Sequence, residues 1–143
     1  MIKVRHIGIT VSNLDKMLDF YRDLLGFADS KIALESGDYI DNFSNLSGVE
    51  VTTAKLSNSF GDVIIELLKY HSHETSSTVR QINDGGISHF AITVDNIEDV
   101  YSRLFEKGIH FNCKPQKSPD GGALVTFCRD PEDNLIEVVE VLR

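Results

Sequence analysis

The chain has 143 residues, 41% hydrophobic and 25% charged, enough for one packed core and short of what two ordinary domains need. Its 22 Asp and Glu against 14 Lys and Arg give a formal charge of −8 with no clustered basic stripe, which excludes nucleic acid as an expected partner. No apolar run reaches the roughly 20 residues that cross a bilayer, MIKVRHIGIT lacks a secretion signal, and Cys113 and Cys128 lack CxxC spacing, so a reduced cytoplasmic protein with no membrane partner is expected.

In chain order, IGITV alternates and is β-branched, which predicts a strand. Ser12 with Asp15 then resembles a capping box, Leu14, Leu18, Tyr21 and Leu25 recur at helical spacing, and Gly26 supplies a stop. VEVTTAKL and DVIIELLKY read as two strands separated by the turn-rich SNSFGD. HSHETSSTVRQINDGG is polar and aperiodic, a linker with room for a short helix, in which His71 and His73 read as solvated loop residues. From His89 the pattern restarts: FAITV, then Asp95 with Glu98, a stripe of Ile97, Val100, Leu104 and Phe105, a stop at Gly108, and the strands ALVTF and NLIEVVEVL about the turn RDPEDN.

The restart is a duplication. His6 falls on His89, Ile9 on Ile92, Thr10 on Thr93, Val11 on Val94, Asn13 on Asn96 and Leu14 on Ile97 without a gap. Aligning VIIELL with NLIEVV places Ile65 on Ile136 and Glu66 on Glu137, so each copy pairs an early His with a late Glu. The expected organisation is one domain, residues 1–143, with module one at 1–70, a linker at 71–86 and module two at 87–143. The first copy is longer between its His and its Glu, and the surplus is expected in the loop around SGDYIDNFSNLSG, where insertions cost little.

Strand parity sets which way these residues point. His6, Gly8 and Thr10 share one face and Ile7, Ile9 and Val11 the other; His89, Ala91 and Thr93 oppose Phe90, Ile92 and Val94 in the same way. The bulky faces are expected to pack on the helices, leaving each histidine beside a small residue with room for a ligand. Glu66 and Glu137 lie among apolar neighbours, where an unpaired carboxylate is costly. A bound cation resolves that conflict, so His6, Glu66, His89 and Glu137 are expected to form one site.

Paired βαβββ modules with His6 in HIGITV, Glu66 in IIELL, His89 in SHFAITV and Glu137 in LIEVVE resemble the vicinal oxygen chelate superfamily of glyoxalases, epimerases, extradiol dioxygenases and drug-binding proteins. The resemblance implies an α+β fold whose two tandem modules form a curved mixed β-sheet cleft with helices outside. It also implies one divalent metal held by His6, Glu66, His89 and Glu137, and a homodimer acting on a small-molecule substrate. The two-His, two-Glu set resembles glyoxalase I, a metal-dependent lyase working by proton transfer through an enediolate or enolate of a carbonyl or thioester. It implies Glu137 as the catalytic base, Glu66 as the next candidate, and Zn, Ni, Co or Mn as the metal. The alternatives are a methylmalonyl-CoA-type epimerase, which usually carries Gln at the Glu66 position and for which Glu50 offers a second base; an extradiol-type dioxygenase using Fe; and a non-catalytic drug-binding protein. Thr10 stands where bacterial glyoxalases often carry a glutathione-anchoring Arg, and Lys114 and Lys117 are loop cations available to an anionic tail.

Overall fold

In the computed structural model, which describes residues 1–142, the chain divides into two units, Met1–Ser77 and the residues from Thr78 onward. The first contains β1 (Ile7–Thr10), α1 (Leu14–Leu18), β2 (Ala28–Ser36), α2 (Asp38–Ser44), β3 (Glu50–Ser57) and β4 (Val63–Tyr70). The second contains β5 (His89–Thr93), α3 (Ile97–Glu106), β6 (Gln116–Lys117), β7 (Ala123–Arg129) and β8 (Leu135–Val141). Among the described residues these strands make two four-stranded mixed sheets with one topology, β1-β4-β3-β2 and β5-β8-β7-β6. In each, only the pair carrying the expected His and Glu is parallel. This is the α+β class that the family resemblance implied.

In the first unit one sheet face is apolar: Ile9, Val11, Ala54, Leu56, Ile65 and Leu67 are each no more than 8% exposed. They bury together with Met17, Leu18, Phe20 and Tyr21 from the helical segment. That segment does not stay α-helical. After Leu18 it widens into a π-helical turn, Asp19–Leu24, in which the Leu25 amide donates to the Phe20 carbonyl at 2.9 Å. The wider turn lets the adjacent rings of Phe20 and Tyr21 both enter the core, edge to face at 4.9 Å. Gly26 ends the segment at φ +85°, and Gly108 ends α3 at φ +82°, left-handed conformations that favour glycine.

The helix starts lie one residue downstream of the capping pairs read from sequence. Asn13 Oδ1 accepts the Lys16 amide at 3.0 Å and Asn96 Oδ1 accepts the Asp99 amide at 2.9 Å. Asn13 and Asn96, not Ser12 and Asp95, have the extended backbone from which a short side chain reaches the third helical amide. A second donor of α3, the Ile97 amide, is taken by Glu140 Oε2 of β8 at 2.8 Å. This ties the helix to the strand that carries Glu137. Ile97, Leu104, Cys128, Ile136 and Val138, all 0% exposed, form the core between them.

Two expectations are corrected. The surplus of the first copy is not only loop: it folds as α2, whose Ile40 packs with Val49, Val51, Leu68 and Tyr70. The Asp41 carboxylate locks its return by accepting the Gly48 and Val49 amides, both at 2.8 Å. Among the described residues no helix forms between Tyr70 and His89, because that stretch has no apolar stripe to bury. There the His71 amide continues the β3 pairing to the Glu50 carbonyl at 2.8 Å. The RDPEDN turn forms as read, with Asp130, 3% exposed, accepting the Glu132 and Asn134 amides and fixing the β7–β8 register.

Candidate metal centre

Each unit brings its His and Glu together. In the first, the parallel register sets Gly8 opposite Glu66, and His6, two residues before Gly8, returns to the same face. His6 Nε2 lies 3.0 Å from Glu66 Oε2, with the side chains 33% and 14% exposed. In the second, Ala91 lies opposite Glu137, and His89 Nε2 is 3.3 Å from Glu137 Oε2. The two pairs occupy matching places in matching sheets. Ser88 Oγ, 2.7 Å from His89 Nδ1, occupies the other ring nitrogen and so directs Nε2 toward the carboxylate. The Phe127 ring meets the imidazole edge to face at 5.1 Å.

The small residues beside the carboxylates are not demanded by the sheet. A methyl group built on Gly8 would meet only the Leu68 side chain, at 3.5 Å, an ordinary contact. The space next to Glu66 is therefore compatible with an external ligand. From there the same face runs past Thr10 into a cavity of about 490 Å³ lined by Leu46, Tyr70, His73, Glu74 and Thr75.

A divalent metal suits these donors. Two ligands at roughly 2.0 to 2.2 Å from a shared ion stand about 3 Å apart, the separation found within each pair. Imidazole nitrogen with carboxylate oxygen is the mixture that Zn, Ni, Co and Mn accept. Among the described residues no three His, Cys, Asp or Glu side chains gather into one cluster; the four expected ligands lie as two pairs, one in each unit.

Other residues singled out from sequence fall elsewhere. Glu50 shares its β3 face with Ala54 and Leu56, whereas Glu66 pairs with Lys55 on the opposite parity. Strand alternation therefore points Glu50 away from the carboxylate it was to assist. Lys117 of β6 pairs with Leu124, on the face opposite Glu137, and the exposed Lys114 lies outside the strands. His71 Nε2 lies 2.8 Å from Thr52 Oγ1 and His73 Nδ1 2.8 Å from Ser72 Oγ, structural contacts at the margin of the sheet. Sequence reasoning overlooked Ser88, Phe127 and Lys55. Counting back from the turns SNSFGD and RDPEDN along antiparallel strands would have found the latter two.

Comparison with known proteins adds the lineage. Residues 3–138 match the model of the Glyoxalase/Bleomycin resistance protein/Dioxygenase superfamily. A lactoylglutathione lyase of Schizosaccharomyces pombe is 29% identical over 96% of this chain, which spans only 47% of that relative's length. An uncharacterized protein of Bacillus subtilis, YraH, is 28% identical over 99% of the chain and 100% of its own length. The crystal structure of a glyoxalase family protein from Bacillus cereus superposes with a TM-score of 0.91 at 21% identity, covering 100% of this chain and 96% of that one, a likeness of fold.

Proposed function

The chain belongs to the Glyoxalase/Bleomycin resistance protein/Dioxygenase superfamily, and from that premise we propose that it is a divalent-metal-dependent isomerase or lyase of glyoxalase type, moving a proton on a small carbonyl or thioester substrate. The observation that carries this reading is the recurrence of one His–Glu pair in both copies of the repeat, at 3.0 and 3.3 Å. His6, Glu66, His89 and Glu137 would be the ligands of a Zn, Ni, Co or Mn ion, and the protein would act as a homodimer.

Such an ion would polarise adjacent substrate oxygens and acidify the neighbouring C–H bond. The chain does the rest. Glu137, the more exposed carboxylate at 27%, accepts the proton from carbon and returns it to the neighbouring atom. Glu66, at 14%, is the more enclosed and serves as ligand. Ser88 holds the His89 imidazole at its other ring nitrogen, and the Phe127 ring packs against it.

The test begins with metal per chain, by elemental analysis of purified protein. Metal-reconstituted protein is then offered hemithioacetals, methylmalonyl-type thioesters and catechols while deuterium exchange into substrate and product is followed. Glu137→Gln should keep most of its metal while exchange falls ~10²-fold or more, and His6→Ala should lose metal and exchange together. Native protein that binds no metal would replace this reading with small-molecule sequestration. Iron with oxygen uptake on catechols would replace it with ring-cleaving oxygenation. Near-native exchange by metal-loaded Glu137→Gln would transfer the role of base to Glu66.

A further inference from the structure

Across the first sheet the registers set Gly8 opposite Glu66, Glu66 opposite Lys55, and Lys55 opposite Lys31. Residues directly opposite on neighbouring strands project from one face, so the row beginning at the candidate ligand continues into two ammonium groups. Like charges facing each other across strands destabilise a sheet. This chain has acids to spare, at a net −8, yet spends none here. The ion pairs among the described residues, His6–Glu66, Arg22–Asp23, Arg22–Asp29 and His89–Glu137, include neither lysine. Glu35, the acid further along β2, pairs with Val51 outside this row and is contacted by the Thr53 hydroxyl at 3.4 Å.

The duplicate shows that the fold does not require this arrangement. In the second sheet the matching row runs Ala91, Glu137, Phe127, with an aromatic ring where the first has Lys55. One copy of the repeat therefore carries cations beside its carboxylate and the other does not. Once Glu66 is engaged by a dication, its charge no longer offsets Lys55, and the row is left with two uncompensated positive groups.

We infer that Lys55 and Lys31 form a subsite for the anionic tail of the substrate, a carboxylate or phosphate about 5 to 10 Å from Glu66, one to two strand spacings away. The inference rests on the function proposed above. It narrows the substrate to a short acidic carbonyl or thioester compound whose reacting end sits at the His6–Glu66 pair. Ammonium groups meet either oxyanion as point charges, so the row itself does not select between them.

The test is calorimetric titration of metal-loaded protein with three probes sharing one chelating head: acetohydroxamate, and its homologues carrying a distal carboxylate or a distal phosphonate. The readout is the ratio of dissociation constants within one preparation, which partial metal loading or partial unfolding does not mimic. Wild type should bind at least one anionic homologue ~10-fold or more tightly than acetohydroxamate, the tighter of the two identifying the anion. The Lys31→Gln/Lys55→Gln variant should bring that ratio to about one. The inference is overturned if neither anionic homologue is preferred by wild type, or if the preference survives both substitutions. If acetohydroxamate itself fails to bind, the metal-centred function falls, and the tail subsite falls with it.

Discussion

Glu140 offers a direct measure of how firmly α3 is fastened to the strand that carries Glu137. Its carboxylate accepts the Ile97 amide at 2.8 Å, the first donor of the helix, while Asn96 accepts the third. Glu140→Ala strands an amide in a residue that is 0% exposed and removes a negative charge from a helix N-terminus. By analogy with capping losses the first costs ~1 to 2 kcal/mol, and the second adds ~0.3 to 1 kcal/mol. A total near 2 kcal/mol corresponds to a fall in Tm of roughly 6 °C at this chain length. Glu140→Gln keeps an acceptor oxygen and loses only the charge, so it should cost ~0.3 to 1 kcal/mol, about 1 to 3 °C. Urea and thermal melts followed by circular dichroism would measure both. Adding Asn96→Ala to Glu140→Ala should cost less than the sum of the two alone, because a helix start already frayed loses little from a second missing acceptor. Equal losses for the Gln and Ala variants would assign the contribution to charge rather than to the hydrogen bond. Losses within ~0.5 kcal/mol of wild type for both would refute the anchoring argument outright.

Two further outcomes follow from titratable groups away from the candidate centre. Burial, with Asp130 adding to it, pushes the Cys128 thiol up to about 12, whereas Cys113 is exposed, so native protein should titrate one thiol with an aromatic disulfide and the second only in urea; two fast thiols in the native state would contradict the packing of β7. The Val49 and Gly48 amides hold the Asp41 carboxyl below the usual carboxylate range, so its folded pKa lies under its unfolded one and its stabilisation is present above the ordinary value and lost as pH falls through the lowered one. The stability gap between wild type and Asp41→Asn, read from urea midpoints, should accordingly narrow on acidification from about pH 7 to pH 3, and a widening gap would show that the amide contacts do not favour the ionised form.

What could be read from the sequence follows the strength of its periodicity. The runs that became β1, β3, β4, β5, β7 and β8 are β-branched and bounded by turn residues; two-residue periodicity reports β1, which buries Ile9 and exposes Gly8 and Thr10, whereas β3 buries Val51 and Thr53 on one face and Ala54 and Leu56 on the other. The same parity argument set each histidine on the face of its glutamate. β2 escaped because ADSKIALES does not alternate and seven of its nine residues are exposed, leaving little burial to shape the pattern. β6 has only two residues. α2 escaped because an insertion has no counterpart in the second copy to reveal it, and the single buried side chain of its seven residues is Ile40. The caps slipped by one because Ser12–Asp15 and Asn13–Lys16 offer equally acceptable letters, and only backbone conformation decides between them. The side of the sheet taken by Glu50 and Lys117 stayed open, and Lys55 was missed, for one reason: cross-strand neighbours depend on register, which propensity does not contain.

The π-helical turn between Asp19 and Leu24 preserves a trace of how the two copies parted. From His6 to Gly26 the first copy is one residue longer than the second is from His89 to Gly108, and only the first departs from α-helical winding on the way. A single codon gained inside a helix would ordinarily rotate every later side chain by about 100°, carrying core residues toward water. Widening one turn absorbs the extra residue locally, so Gly26 still closes the helix and the following chain re-enters its sheet in step. Together with α2, this makes two length differences between the copies, both lying between the first copy's histidine and its glutamate, and neither separates them. The two copies thus differ in the length of the connecting chain while keeping the same pairing of its two ends.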